Sequence, residues 1–412
     1  MTNSETKNFS QNVSSSYHLE DRCKCNKNTC ANTCNVPKLR FKGYNDEWVE
    51  KRIEKVLKIK HGKDQKAIEN NDGIYPILAT SGEIGRSNTF LWDKPCVLIG
   101  RKGTINKPQY MDTPFWTVDT LFYSDVFQNN NAKYLYYLFN TINWKKYDES
   151  TGVPSLSAKT IERIKIKISN NLREQEKIAS FLTLIDKKIE KQKELVELLK
   201  KYKRGLFSAI FSQKLKFKDD NGNDYPAWEE KRLGDICKIV GGGTPDTNNV
   251  KYWGDDINWF TPTEIIKKYA DSSNRKISRL GLLKSSAKIL PIGTVLLTTR
   301  ATLGEMSILS IEATTNQGFQ SLIPVKDEVS SEFIYYCQPI IKHFCYKYAN
   351  GSTFLEISKQ TLAKLKLMIP NKDEQNKISD FLSKFDNKIQ QEECILSNLK
   401  TYKKGLLQQM FI

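Results

Sequence analysis

The sequence predicts an α+β protein in which two α/β modules are each followed by a long helix, the two helices pairing with each other. Three observations predict it. Residues 174–211 align without gaps on residues 374–411 with 16 identical pairs in 38 positions, far more than unrelated segments would share. Both copies have the composition of a helix and carry an apolar seam. The residues ahead of each copy carry short β-rich runs between glycine-centred turns.

The copies share Glu174/Glu374, Gln175/Gln375, Lys177/Lys377, Ile178/Ile378, Phe181/Phe381, Leu182/Leu382, Asp186/Asp386, Lys203/Lys403 and Phe211/Phe411, among others. Each is rich in Leu, Lys, Glu and Ile and lacks proline. Apolar residues fall at Ile178, Leu182, Ile185, Ile189, Val196 and Leu199, and again at Ile378, Leu382, Phe385, Ile389, Leu396 and Leu399. Alternating steps of four and three are those of a coiled-coil seam. One rung is polar in both copies, Gln192 and Glu392, and such a residue fixes register and partner choice at some cost in stability. A helix of about 35 residues would be about 50 Å long, and so narrow a stripe does not hold a helix alone. The stripe fits packing on the helix's own module or pairing of the two copies; equal length and equivalence favour pairing.

Ahead of the copies, Ser157-Ala158-Lys159-Thr160-Ile161 matches Ser358-Lys359-Gln360-Thr361-Leu362. Trp48-Val49-Glu50-Lys51-Arg52-Ile53 matches Trp228-Glu229-Glu230-Lys231-Arg232-Leu233. Between these markers the halves diverge almost completely. Runs such as Cys96–Ile99, Thr294–Leu297 and Ser321–Val325 predict strands in a mixed or antiparallel sheet, and Ala132–Asn140 and Ser331–Tyr348 predict short helices. The expected partition is a disordered extension over 1–36, modules over 37–172 and 214–370, and helices over 173–213 and 371–412.

Lys and Arg exceed Asp and Glu by 64 to 47, a formal charge of +17, which favours a polyanionic partner because phosphate contacts release counterions. The turns carry groups suited to base edges and phosphates. Candidates for DNA contact are Thr80 and Ser81, and Arg101, Lys102 and Thr104 in the first half. In the second they are Thr244, Thr261, Thr263, Thr299, Arg300, Thr302, Asn316, Gln317 and Ser352. Any one such loop is an ordinary turn; recurrence in both halves of a basic chain is what counts.

Other classes lack their signatures. No apolar run reaches 18 residues, so no membrane span is expected, and the Asn/Ser-rich N-terminus is not a secretory signal, which points to the cytoplasm. Cys23, Cys25, Cys30 and Cys34 cluster without paired C-x2-C knuckles and without apolar support, so a disordered tail fits better than a zinc site. The other five cysteines read as reduced thiols. His18, His61 and His343 form no cluster, no phosphate-loop or dinucleotide fingerprint occurs, and Pro245-Asp246 lacks a well-placed acidic-x-Lys partner for a nuclease core. No metal site or catalytic residue is expected in this chain.

Together the duplicated Glu-Gln-x-Lys-Ile-x-x-Phe-Leu helix ending in Tyr-Lys-(Arg/Lys)-Gly-Leu, the lead-in segments at Pro37–Gly43 and Trp228–Leu233, and Val97–Thr104 with Gly351–Ser358 carry a resemblance. Over residues 37 to 412 the chain resembles the specificity subunits of type I restriction–modification systems. The resemblance implies two target-recognition domains, inverted about a pseudo-two-fold axis, each reading half of a split double-stranded DNA target. The helices then pair as an antiparallel coiled coil that sets the gap and binds two methyltransferase subunits, which restriction–translocase subunits join. S-adenosylmethionine, ATP and magnesium belong to those partners, and the chain is not itself an enzyme. The competing readings are a single chain with its own nuclease activity and a DNA-binding or coiled-coil adaptor.

Overall fold

The computed structural model describes residues 35–300, 302–350 and 355–412, together with the backbone of 19–21. The chain forms two compact units. The first combines residues up to 196 with 391–412, and the second is 197–390. Each unit takes part of both long helices.

In the first unit, β1 (Leu19–Asp21) pairs antiparallel with β2 (Leu39–Phe41), and the Asn35 carbonyl accepts from the Trp48 N–H at 2.8 Å. The β2 edge offers the backbone groups for the first of these pairings. The N-terminal cysteines and Ser352 lie outside the described residues. β3 (Val49–Arg52) pairs with β11 (Lys165–Ile168), where Lys-Ile-Lys-Ile alternates outward and inward as a half-buried strand must. A four-stranded antiparallel sheet has the order β4 (Leu57–Lys60), β10 (Leu121–Val126), β7 (Cys96–Gly100), β8 (Gln109–Met111). A three-stranded sheet has the order β6 (Gly82–Ser87), β5 (Tyr75–Ala79), β9 (Trp116–Thr117), the last pair parallel. Strand β7 is apolar throughout because both of its faces are covered. Val97 and Ile99 join a core with helix α1 (Ala132–Phe139), while Cys96 and Leu98 join Leu78 and Phe115 beneath the smaller sheet. Helix α2 (Ala158–Arg163) starts at Ser157, whose hydroxyl accepts from the Thr160 N–H. It leads through β11 into α3 (Leu172–Phe211), 40 residues long.

The second unit repeats the plan. β12 (Glu229–Arg232) pairs with β21 (Lys366–Ile369), flanking the one-turn α4 (Leu233–Ile236). The larger sheet runs β13 (Cys237–Gly241), β20 (Gln320–Pro324), β17 (Val295–Leu297), β18 (Met306–Leu309), β15 (Tyr269–Ala270), and is mixed at its last pair. The smaller sheet runs β16 (Arg275–Ile277), β14 (Trp253–Phe260), β19 (Thr314–Thr315). Both sheets keep the first unit's strand order, with β15 and helix α5 (Arg279–Leu283) added. The helix expected over Ser331–Tyr348 is two, α6 (Ser331–Tyr336) and α7 (Gln338–Tyr348). Pro339 has no N–H to continue the first and crowds the residue before it. Then come α8 (Lys359–Ala363) and α9 (Lys372–Met410).

Each core is closed by the end of the long helix that follows the other module. In the first unit the Phe411 ring lies 6.1 Å from Trp48 and 5.4 Å from Tyr134. In the second, Phe211 lies 6.0 Å from Trp228 and 5.8 Å from Phe333. Cys96, Cys237, Cys337 and Cys345 are buried free thiols, and burial pushes those of Cys96, Cys237 and Cys345 up to about 12. They pack as small apolar groups; Cys394 is exposed. Among the described residues no helix is long and apolar enough to cross a membrane, and no group of three or more His, Cys, Asp or Glu could hold a metal.

Candidate nucleic-acid interface and helix-pairing site

In the first unit the candidate contacts converge on one loop cluster. The chain leaves β7 at Gly100, where a Cβ would sit 2.3 Å from the Thr104 carbonyl oxygen, so only glycine permits the tight return. Gly103 has φ +83° and lies against the Thr80 hydroxyl, which brings the β5–β6 turn of Thr80 and Ser81 to the loop of Arg101, Lys102 and Thr104. A third strand of chain completes the cluster: the Gly103 N–H donates to the Pro154 carbonyl at 2.8 Å and the Leu156 N–H to that of Arg101 at 2.9 Å. Ser81, Lys102 and Thr104 are exposed. Lys102 makes no ion pair among the described residues, whereas the Arg101 guanidinium is held by Asp119.

The second unit gathers its candidates in the corresponding place. The Thr244 hydroxyl donates to the Gln317 side-chain oxygen, and Asn316 Oδ1 accepts from the Gly318 N–H at 2.9 Å. Thr261 caps Pro262–Glu264 in a reciprocal box with Glu264, leaving Thr263 exposed. Thr302 Oγ1 donates to the Pro262 carbonyl at 3.3 Å. A Cβ on Gly242 would meet the Asn316 carbonyl oxygen at 2.0 Å, so this junction too depends on glycine. Arg300 is exposed and its Nη2 lies 2.7 Å from the Glu356 carboxylate.

Thr299 corrects the expectation. It is fully buried, and its N–H donates to the Gly318 carbonyl at 2.7 Å. The backbone of β17 goes on pairing through Thr298 and Thr299, so the side chain points inward where the sequence suggested a turn. The sequence reading also missed Arg275. Its guanidinium lies 3.6 Å from the Trp253 ring centroid and 5.5 Å from that of Trp259, an exposed cation over aromatic faces whose three members are far enough apart in sequence to show no motif.

The helix seam divides by position. Ile178, Leu182 and Ile185 are buried in the first unit's core, as are Ile378 and Leu382 in the second's. The first turns of each helix thus dock on their own module. The same cores admit the end of the other copy: Leu406 and Met410 in the first unit, Ile210 in the second. Ile389 and Leu399 are buried, Leu199 and Ile189 are half-buried, and the half-buried Phe385 packs 5.7 Å from Tyr202. The polar rung pairs with itself. Gln192 Nε2 donates to the Glu392 carboxylate at 2.6 Å and to its carbonyl at 3.1 Å.

Two identities of the repeat, Asp186/Asp386 and Lys203/Lys403, explain the pairing and were legible only as markers. Lys403 Nζ lies 2.5 Å from Asp186 in the first unit, and Lys203 pairs with Asp386 in the second. Each aspartate also accepts a tyrosine hydroxyl at 2.8 Å, from Tyr137 and Tyr336. Burial and the neighbouring carboxylate push both phenols up, so they stay protonated donors. Asp186 meets Lys403 while Gln192 further along meets the earlier Glu392, so the two helices run antiparallel. Gln175 and Gln375 do equivalent work at the helix starts: each side-chain oxygen accepts the backbone N–H of the residue capping the module's short helix, Asn131 at 2.8 Å and Ser330 at 2.9 Å. Replacing Gln192 by Ala takes two hydrogen bonds from the buried Glu392. We expect a loss of about 1–3 kcal/mol, measurable as faster amide exchange along 186–196 and 391–403; unchanged exchange would show that the rung contributes nothing.

This geometry defines a duplicated α+β scaffold whose framework is held constant and whose loop clusters differ. The chain belongs to the family of type I restriction modification DNA specificity domains, whose model matches residues 45–200 and 226–401. It is 36% identical over 194 residues to the specificity subunit of the type I restriction enzyme MjaIX of Methanocaldococcus jannaschii, covering 46% of this chain and 45% of that protein. It is 27% identical over 262 residues to the EcoR124I/EcoR124II specificity subunit of Escherichia coli, covering 62% of this chain and 63% of that protein. The chain thus spans less than two thirds of the length of these relatives. Its fold is similar to the crystal structure of a type I restriction-modification S subunit from M. genitalium, with TM-score 0.60 and 18% identity over 92% of this chain and 99% of that one.

Proposed function

We propose that this chain is the non-catalytic sequence-reading subunit of a cytoplasmic type I restriction–modification complex. Each unit's loop cluster reads one half of a split target in double-stranded DNA. The Thr80–Ser81 and Arg101–Thr104 loops serve the first half. Thr244, Thr261, Thr263, Arg300, Thr302, Asn316 and Gln317 serve the second. The observation that carries this reading is that one strand order supports two loop clusters of different chemistry, which is what an address in two unlike parts requires. Lys102 and the overall charge of +17 supply the sequence-independent attraction to phosphates. Two methyltransferase subunits bind the paired helices, and restriction–translocase subunits join them. S-adenosylmethionine, ATP and magnesium reside on those partners.

Methylation-sensitive sequencing of a genome expressing this chain with its methyltransferase tests the proposal. The expected result is one methylated motif of two short defined blocks around an undefined spacer. A contiguous motif, or cleavage of DNA by the purified chain with magnesium alone, would overturn it.

A further inference from the structure

The two copies treat one buried carboxylate differently. In the first unit Glu174 is fully buried, and both of its carboxylate oxygens accept hydrogen bonds. Arg40 Nε donates to Oε1 at 2.6 Å, and Arg40 Nη2 and Ser169 Oγ donate to Oε2 at 2.9 and 2.5 Å. The equivalent carboxylate in the second unit is Glu374, which is 4% exposed. Among the described residues its side chain accepts one hydrogen bond, from Trp228 Nε1 at 3.0 Å.

The equivalence of the surroundings is close. Leu39-Arg40-Phe41-Lys42 matches Leu215-Lys216-Phe217-Lys218. Phe41 packs edge-on against Phe181 at 5.7 Å, and Phe217 against Phe381 at 5.5 Å. Lys216 therefore stands where Arg40 does. It is exposed and makes no ion pair among the described residues. The serine's place is taken by Pro370, which offers no hydroxyl: Gln375 Nε2 donates to the Pro370 carbonyl as Gln175 does to that of Ser169. A cavity of about 210 Å³ opens beside Glu374, lined among others by Gln213, Lys216, Tyr225 and Trp228. Burial raises the carboxyl of Glu374 above the usual range, although Trp228 and the Lys216 charge act against it. Three donors have thus become one, and space stands beside the carboxylate where its twin meets a guanidinium.

We propose that the Glu374 cavity is a guanidinium subsite, filled by an arginine side chain of a partner protein as Arg40 fills its counterpart from within the chain. A planar fork donates two parallel hydrogen bonds to a carboxylate, which a lysine ammonium does not reproduce. The site lies within the second unit and does not depend on the DNA reading.

Methylguanidinium titrated into the full chain is the test, followed through the Trp228 indole N–H resonance, with methylammonium at equal ionic strength as the control. The expected result is a saturable shift with methylguanidinium, a much weaker one with methylammonium, and none in Glu374→Gln. Equal response to both cations, or a response that survives Glu374→Gln, would overturn the proposal. Lys216→Arg supplies a check that leaves the carboxylate in place. It is expected to shift the Trp228 resonance in the free protein and to abolish the methylguanidinium response. An unchanged response would show that an arginine at position 216 does not reach the Glu374 carboxylate and that the likeness to Arg40 fails.

Discussion

Replacing Glu174 by Gln is expected to destabilise the first unit by about 3–5 kcal/mol, whereas Glu374→Gln should change the second by no more than about 1 kcal/mol. The asymmetry follows from what each carboxylate leaves behind. Arg40 and Glu174 are 1% and 0% exposed as side chains, and among the described residues Arg40 Nη1 has no hydrogen-bond partner. Removing the anion strands a guanidinium in the core, and desolvation is then no longer offset by attraction. In the second unit the loss is one indole hydrogen bond at 3.0 Å, which the neutral amide of Gln can still accept. A single unfolding midpoint is a poor gauge for a chain of two units. Amide exchange of peptides covering 35–52 and 165–182, compared with 225–233 and 366–382, separates the effects. Equal losses in the two units would show that the ion pair does not hold the first together.

The sequence carried the scaffold clearly and the reading surface poorly, for physical reasons. Helices α3 and α9 were legible because 40- and 39-residue elements repeat their periodicity many times, and their shared identities exposed the duplication. The common strand order of the two modules was not. β9 and β19 have two residues each and β17 three, too few to show alternation. β7, buried on both faces, has none to show. Thr299 illustrates the limit for site residues: threonines and an arginine near a glycine look like a turn, yet the backbone goes on pairing past the apolar run. Asp186 and Lys403 were visible as conserved members of the repeat. Their pairing needs the antiparallel arrangement, which no single copy contains.

Exchange of residues 217–370 for the same segment of another family member is expected to replace one half of the DNA target and leave the other intact. The segment carries the second unit's sheets and every loop of its cluster, from Thr244 to Gln317. Three sets of junction contacts remain outside it or are supplied by the shared framework. These are the Phe211 ring that closes the core, the Lys203–Asp386 pair, and the start of α9 at Lys372. Specific sites are typically bound about 10³–10⁷-fold more tightly than non-specific DNA. Binding of the original target in the presence of the methyltransferase subunits should therefore fall by several orders of magnitude, while a target with only its second block altered regains it. The salt dependence of non-specific binding should change little, since phosphate attraction is set by charge spread over the chain rather than by the exchanged base contacts. Competition binding with targets altered one block at a time distinguishes the outcomes. If both blocks change together, the units do not read independently. If neither changes, the loop cluster of the second unit is not where sequence is read.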